Sequence, residues 1–153
     1  MEGVIDGGSP IKLTDYYAIG MDISPKNGMI AYRFIDEQAK PQRFRIAVTS
    51  PDGEPGMTTF DLPQFFGTIG PGFYLQEIWW TVDGRALTYV DTKDGVSNIW
   101  AQPIDGSAKR QLTNFTSDLI FFYAWSRDGK KLAVARGSKT SDVVLIRDIT
   151  NAP

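Results

Sequence analysis

Three stretches of the chain repeat one pattern of apolar and polar positions. Each begins with a short apolar run, continues with Ser or Thr and an Asn-Gly or Asp-Gly pair, and ends in a run that alternates apolar and polar residues. Alternation is typical of a half-buried strand, and Asn-Gly or Asp-Gly between two such runs indicates a tight turn. The pattern therefore predicts β-hairpins at residues 22–33 (DISPKNGMIAYR), 80–90 (WTVDGRALTYV) and 124–136 (AWSRDGKKLAVAR).

Each hairpin belongs to a longer unit of four predicted strands. Polar loops at 36–42, 91–96 and 137–141 lead from the hairpins to third strands at 44–49, 98–102 and 142–147. Fourth strands follow Asp-Gly turns at 57–62 and 107–113, and a similar strand stands alone at 9–14. No stretch sustains a 3.6-residue apolar period, which predicts an all-β chain.

The spacing of these units favours a β-propeller. Gly28, Gly84 and Gly129 hold equivalent turn positions roughly 45 to 56 residues apart, near the repeat length of four-stranded propeller blades. A lone four-stranded sheet leaves both apolar faces uncovered, whereas radial stacking of sheets buries both. The predicted single domain spans 1–153, with an outer strand at 6–14 and blades at 15–62, 63–113 and 114–149, the last incomplete. These three blades would form half of a six-bladed ring.

Composition narrows the chemistry that the chain could perform. The 153 residues include neither Cys nor His, which removes disulfides, thiolate or histidine metal ligands, and Ser-His or Cys-His catalysis. Sixteen basic against eighteen acidic residues give a net charge of −2, and the basic doublets Lys109-Arg110 and Lys130-Lys131 lie beside turns. Neither nucleic-acid binding nor membrane insertion is therefore expected. The sequence predicts no catalytic residue, no metal site and no cofactor.

The repeat also resembles a known family. Trp-Ser-x-Asp-Gly-Lys-x-Leu-Ala, followed by Asp-x-x-Leu/Ile and by Asp-Gly with Gln-Leu-Thr, is similar to the TolB-type propeller repeat of bacteria. Residues 94–106 (DGVSNIWAQPIDG) and 135–146 (ARGSKTSDVVLI) resemble C-terminal propellers of bacterial serine/threonine kinases and related sensor proteins. The resemblance implies a non-catalytic interaction or sensor module of a larger signalling protein. It favours a periplasmic or extracytoplasmic location, with the cytoplasm as an alternative.

Aromatic residues in the loops that lead into each first strand are the candidate binding site. In propellers these loops gather on one face around the mouth of the central channel, where exposed aromatics mark a recognition surface. We therefore expect a protein or small-ligand partner to bind at this set: Tyr16, Tyr17, Phe65, Phe66, Phe73, Tyr74 and Phe115. Packing between blades is the competing explanation for the same residues.

Two other functions remain open from the sequence. Paired carboxylates can hydrolyse glycans, and four loop aspartates could act in a hydrolase or lyase, or in the accessory propeller of a hydrolase: Asp91, Asp94, Asp118 and Asp142. Solvation of surface loops is the simpler explanation of these residues. The chain could also be a purely structural half of a larger propeller without a ligand of its own.

The strand count further predicts a homodimer. Three blades are too few for a ring, since propellers have four to eight. Two copies would supply six, and the opening strand at 9–14 of each copy would complete the other's last sheet beside 142–147. Alternatively, a longer native protein supplies the remaining blades.

Overall fold

The computed structural model describes residues 12–52, 57–62 and 78–138. Within these ranges the chain forms ten strands and no helix, which confirms the all-β prediction. Sheet 1 contains β1 (Ala18–Ile23), β2 (Ile30–Asp36), β3 (Arg43–Thr49) and β4 (Thr58–Asp61). Sheet 2 contains β5 (Trp79–Trp80), β6 (Ala86–Lys93), β7 (Val96–Pro103) and β8 (Arg110–Gln111). Sheet 3 pairs β9 (Leu119–Trp125) with β10 (Leu132–Gly137).

Sheets 1 and 2 are antiparallel meanders in which every strand pairs with its neighbour in sequence. This is the four-strand unit that the sequence predicts, and it is consistent with propeller blades. The first-to-second strand hairpins keep one register: Ile23 pairs with Ile30, Trp80 with Leu87, and Trp125 with Leu132. The three hairpins are therefore equivalent position by position next to their turns, whereas β-bulges interrupt the register farther away in sheets 1 and 3.

The turns differ in detail from the prediction. Gly28, Gly84 and Gly129 have φ of 70°, 66° and 67°, as the Asn-Gly and Asp-Gly pairs indicate. The predicted loop at 91–96 was too long, because β6 continues to Lys93 and β7 begins at Val96. Asp94 and Gly95, with φ of 52° and 78°, alone form this connection, and two left-handed residues suit a two-residue hairpin.

The sheets pack face to face around two apolar clusters. Between sheets 1 and 2, Ala31, Ile46, Val48 and Leu62 meet residues of the next sheet: Ile78, Trp80, Leu87 and Tyr89. Between sheets 2 and 3, Val90 and Ile99 meet Ile120 and Tyr123, with Trp125, Leu132 and Val134 packed around them. Burial of such side chains stabilises each contact by roughly 25 cal/mol per Å² of apolar surface. Sheet 2 is thus covered on both faces, as in stacked blades.

Several predicted elements lie outside the described residues. They include the strand at 142–147, the aromatic loop after Leu62, and the first half of the opening strand at 9–14, of which Lys12, Leu13 and Thr14 are described and are not in a strand. The number of blades, closure of a ring and exchange of strands between copies stay predictions. None of the described residues belongs to an apolar helix of membrane-spanning length.

Candidate functional site

One end of the sheet stack is built from the three hairpin turns, and we call it the turn end. In sheet 2, Thr81 donates its hydroxyl to Asp83 Oδ1 at 2.6 Å, and the same oxygen accepts Arg85 N–H at 3.1 Å. Ser126, Asp128 and Lys130 repeat these bonds in sheet 3, at 2.6 and 3.1 Å. Hydrogen bonding to the ionised form lowers the pKa of both carboxyls, chiefly through the Thr81 and Ser126 hydroxyls.

Successive turns stack closely on one another. A Cβ placed on Gly84 would lie 2.7 Å from Ser24 Oγ and 2.9 Å from Lys26 Cβ, both in the turn of sheet 1. A Cβ placed on Gly129 would lie 2.9 Å from Val82 Cγ2, in the turn of sheet 2. Glycine at each turn therefore permits both the left-handed backbone and the approach of the preceding turn.

A cleft of about 540 Å³ opens at the turn end between sheets 2 and 3. Its walls include Trp125 and Leu112, with Val82 exposed at its edge. Three basic side chains line it against two acidic ones: Lys26, Arg85 and Arg110 against Asp83 and Asp128. The lining of this turn cleft thus carries one more basic than acidic side chain, and both carboxylates already accept hydrogen bonds within their own turns.

The opposite end of the stack, where β1, β5 and β9 begin, is the loop end, and it contains the predicted aromatic loops. Tyr17 is 65% exposed, and its carbonyl accepts Ile35 N–H at 3.2 Å. Tyr16 is 43% exposed and lies with its ring centroid 4.7 Å from that of Phe34. The backbone of this segment is thus attached to sheet 1, while both phenol rings remain accessible to a partner.

Phe115 holds the equivalent position before β9, and its surroundings are more crowded. Asn98 Oδ1 accepts Phe115 N–H at 2.7 Å, and Asn98 Nδ2 donates to Phe115 O at 3.1 Å. The Arg136 guanidinium carbon lies 3.9 Å from the centre of the Phe115 ring, which also packs against the cluster between sheets 2 and 3. Phe115 is therefore half-buried, and Arg136 covers one face of its ring.

The four other aromatic residues predicted for this surface lie outside the described residues: Phe65, Phe66, Phe73 and Tyr74. The structure thus places three predicted residues at one end of the stack and leaves the binding role of all seven a prediction. Sequence reasoning missed the turn cleft, because Arg110 was assigned to a solvated turn. The signal was present in the hairpin repeat, whose equivalent turns must meet once the sheets stack.

Two of the four aspartates considered for a hydrolase or lyase, Asp94 and Asp118, have left-handed backbone conformations between strands. Asp94 forms the β6–β7 connection, and Asp118, with φ of 65°, accepts the Ser117 hydroxyl at 2.9 Å and lies 3.4 Å from Arg136 Nη2. Asp91 lies within β6, and Asp142 is outside the described part of the chain. In that described part no group of three acidic, His or Cys side chains could hold a metal ion.

Comparison with known proteins gives one informative similarity. No family model matches the chain. The chain is similar to the Tol-Pal system protein TolB of Thioalkalivibrio sulfidiphilus (strain HL-EbGR7), with 31% identity over 89 residues. This match covers 58% of the present chain and 18% of that TolB. Together with the antiparallel four-stranded sheets, it supports a TolB-like β-propeller chain, and the resemblance to kinase-associated propellers stays a prediction.

Proposed function

We propose that the chain is a non-catalytic β-propeller module that binds a protein partner. The observation that carries the proposal is the pair of stacked, antiparallel four-stranded sheets in a chain similar to TolB over 89 residues. Stacked sheets provide a rigid frame whose loops can vary without loss of the fold. Such a frame suits recognition of another surface.

The loop end is the proposed contact surface. Tyr16 and Tyr17 are adjacent and exposed, and the Tyr17 carbonyl accepts a hydrogen bond from Ile35 N–H of sheet 1. Tyrosine is enriched at protein interfaces because it buries a large rigid ring and keeps a hydroxyl for hydrogen bonding. Two neighbouring rings on a fixed segment lose little conformational entropy when they bind.

The proposal assigns the chain no reaction. Histidine-dependent acid–base catalysis and cysteine nucleophiles cannot operate in a sequence without either residue. Asp94 and Asp118 both hold left-handed backbone positions between strands, which gives them a structural role and weakens the case for the carboxylate-based hydrolase or lyase. The non-catalytic function is accordingly the preferred one.

A displayed library of random peptides, panned against the chain, tests the function and the surface together. Selected peptides should bind at least tenfold more weakly to Tyr16→Ser/Tyr17→Ser, because the variant lacks both aromatic rings. A tenfold change in affinity corresponds to a binding free energy of about 1.4 kcal/mol. The matched control is Lys26→Ser/Arg110→Ser, which changes two side chains of the turn cleft at the other end. Peptides whose binding is weakened only by the control substitutions would move the site to the turn cleft.

A panel of chromogenic glycans tests the absence of catalysis separately. Hydrolysis that is lost in Asp94→Asn or Asp118→Asn would overturn the non-catalytic proposal.

A finer version of the proposal makes the module the C-terminal part of a bacterial signalling protein such as a serine/threonine kinase. Its support is the resemblance of residues 94–106 and 135–146 to kinase-associated propellers. Reading the genomic coding sequence around this segment tests it. A neighbouring segment of other character would remove the kinase association without affecting the loop-end surface.

A further inference from the structure

Basic residues from three sheets meet at the turn cleft. Lys26 of the turn of sheet 1, Arg85 of the turn of sheet 2 and Arg110 of β8 line it. The turn of sheet 3 holds three more basic residues beside the lining residue Asp128: Arg127, Lys130 and Lys131. All six basic residues are exposed. Stacking therefore gathers at one cleft basic residues that are far apart in the sequence.

The positive charge of this cleft is not neutralised within the described residues. Two carboxylates line the cleft, Asp83 and Asp128, and each accepts a hydroxyl and a backbone N–H of its own turn. None of the six basic side chains forms an ion pair in the part of the chain that the structure describes. At the loop end, by contrast, Arg43, Arg45 and Arg136 are each paired with an aspartate.

The cleft also has an apolar wall that is fixed in place. The indole N–H of Trp125 donates to Thr88 Oγ1 at 3.2 Å, and Thr88 is completely buried. Leu112 packs in the same apolar cluster as Trp125, and Val82 is exposed at the edge of the cleft. The volume of about 540 Å³ lies within the usual range of ligand sites. An apolar side chain could therefore be buried there without rearrangement of the wall.

We propose that the turn cleft binds an acidic segment of a partner protein. One apolar side chain of that segment packs against Trp125 and Leu112, and flanking carboxylates pair with Lys26 and Arg110 through charge-assisted hydrogen bonds. A peptide suits the cleft better than a nucleic acid does. Continuous phosphates would pass the carboxylates that line the cleft, whereas a peptide can place its acidic residues opposite the basic ones alone.

This surface is separate from the loop end, so its test uses a chain that lacks the loop-end rings. A displayed library of random peptides is panned against the full chain with Tyr16→Ser/Tyr17→Ser. The enriched peptides should contain an apolar residue flanked by Asp or Glu, and a labelled copy should bind the wild-type chain equally well in fluorescence anisotropy. Enrichment of neutral or basic peptides, or of none, would overturn the proposal.

Changes in the selected peptide test both parts of the recognition. Replacement of its acidic residues by the corresponding amides should weaken binding at least about tenfold, and so should replacement of its apolar residue by serine. If the amide peptide bound as well as the acidic one, the positive charge of the cleft would have no part in binding, contrary to the proposal.

Charge reversal in the protein tests the position of the site. Lys26→Glu/Arg110→Glu should weaken binding of the selected peptide at least about tenfold. The matched control is Lys40→Glu/Lys93→Glu, which makes the same charge change at exposed residues of the loop end and should leave the affinity unchanged. Equal weakening by both pairs would reflect the net charge of the chain and would count against the cleft.

A milder variant applies if charge reversal disturbs folding. Lys26→Gln/Arg110→Gln should retain the far-ultraviolet circular dichroism of the wild type and bind the selected peptide more weakly than the wild type does. Wild-type affinity in this folded variant would contradict the proposal.

Salt and a second polyanion complete the test. Raising the NaCl concentration from about 0.05 to about 0.5 M should weaken binding to the wild type more than binding to the glutamine variant, because salt screens exposed charges. A labelled thymidine oligonucleotide should bind the wild-type chain more weakly than the selected peptide does. Equal or tighter binding of the oligonucleotide would assign the basic surface to nucleic acid and overturn the proposed peptide site, as would a salt-independent affinity.

Discussion

Gly84 shows how a single residue serves both its own turn and the neighbouring one. Its φ of 66° is left-handed, and a Cβ there would lie 2.7 Å from Ser24 Oγ and 2.9 Å from Lys26 Cβ. Gly28 has nearly the same φ, 70°, but nothing lies within 4 Å of its added Cβ. At Gly28 only the left-handed backbone requires glycine, whereas at Gly84 the close approach of the neighbouring turn requires it as well.

Alanine at these two glycines should give different losses of stability. Gly28→Ala should lower the free energy of unfolding by about 1–2 kcal/mol, the cost of a left-handed L-residue. Gly84→Ala should lose about 1–3 kcal/mol more, since the turn of sheet 1 must also move. Urea denaturation of both variants provides the comparison. Equal losses would show that the turns do not stack as described.

The hydrogen bonds of Asp83 and Asp128 predict the direction in which the free energy of unfolding changes at acid pH. Hydroxyl and backbone hydrogen bonds lower the pKa of both carboxyls in the folded state. The stability they contribute is therefore fully present above their unfolded pKa of about 3.9, and it is lost as the pH falls through the lower folded pKa. Asparagine provides a non-titrating comparison, because Asn27 Oδ1 already accepts Met29 N–H at 3.2 Å in the turn of sheet 1.

In the double variant Asp83→Asn/Asp128→Asn, the free energy of unfolding should accordingly depend less on pH in the acid range. Its free energy of unfolding should change less between neutral pH and about pH 2 than that of the wild type, because two linked protons are removed. Urea midpoints measured across this range provide the test. Asp52→Asn is the control, since its exposed carboxylate accepts none of the described hydrogen bonds. If the urea midpoints of the wild type and the double variant fell equally with pH, the two carboxylates would not contribute the expected pH-dependent stability.

At the scale of strands and loops, local chemistry explains which elements could be predicted. Alternating residues and Asp-Gly pairs identify β2, β6 and β10, because period-2 patterning and left-handed glycine are local properties. The end of β6 could not be predicted, since Asp91, Thr92 and Lys93 are polar and resemble a loop. They remain in the strand because they pair with Asn98, Ser97 and Val96 across the two-residue turn.

The loop before β9 was placed correctly, but its exposure could not be predicted. Phe115 is an aromatic residue in a loop, which favours a recognition surface. Its cover comes from Arg136 in β10, and its backbone is bonded to Asn98 in β7. Neither neighbour is close in sequence, so only the packed sheets reveal that the ring is half-buried. Tyr16 and Tyr17, by contrast, are exposed.

At the scale of the whole molecule, stacking creates features that no single repeat contains. The turn cleft requires Lys26 from sheet 1, Arg110 from sheet 2 and Asp128 from sheet 3. The exposure of Met21 and Ile23 in β1 is equally hidden in the sequence, because both residues have the same apolar character as their buried equivalents Ile78 and Trp80. Sequence repetition predicts the sheets, whereas the order of stacking decides which equivalent residues become core and which become surface.

Trp80 connects sheets 1 and 2 through two hydrogen bonds in addition to its buried ring. Its backbone N–H donates to Asp22 Oδ2 at 2.8 Å, and its indole N–H donates to Asp22 O at 3.2 Å. The ring is 4% exposed and packs against Ala31, Ile46 and Val48 of sheet 1. Since sheet 2 also packs on sheet 3, loss of this ring should affect more than one sheet.

Trp80→Ala should therefore lower the free energy of unfolding by about 3–5 kcal/mol, as expected for a large cavity in a core. In a stack coupled through neighbouring interfaces, the loss should appear as one transition if the sheets unfold together. Far-ultraviolet circular dichroism, which reports on all sheets, and the fluorescence of the remaining Trp79, Trp100 and Trp125, which lie in sheets 2 and 3, should give coincident curves in the same urea titration. Met21→Ala, at a residue of β1 that is 72% exposed, should change stability by no more than about 0.5 kcal/mol. Separated curves for Trp80→Ala would show that sheet 1 unfolds independently, and the interface between sheets 1 and 2 would then not stabilise the stack as a whole.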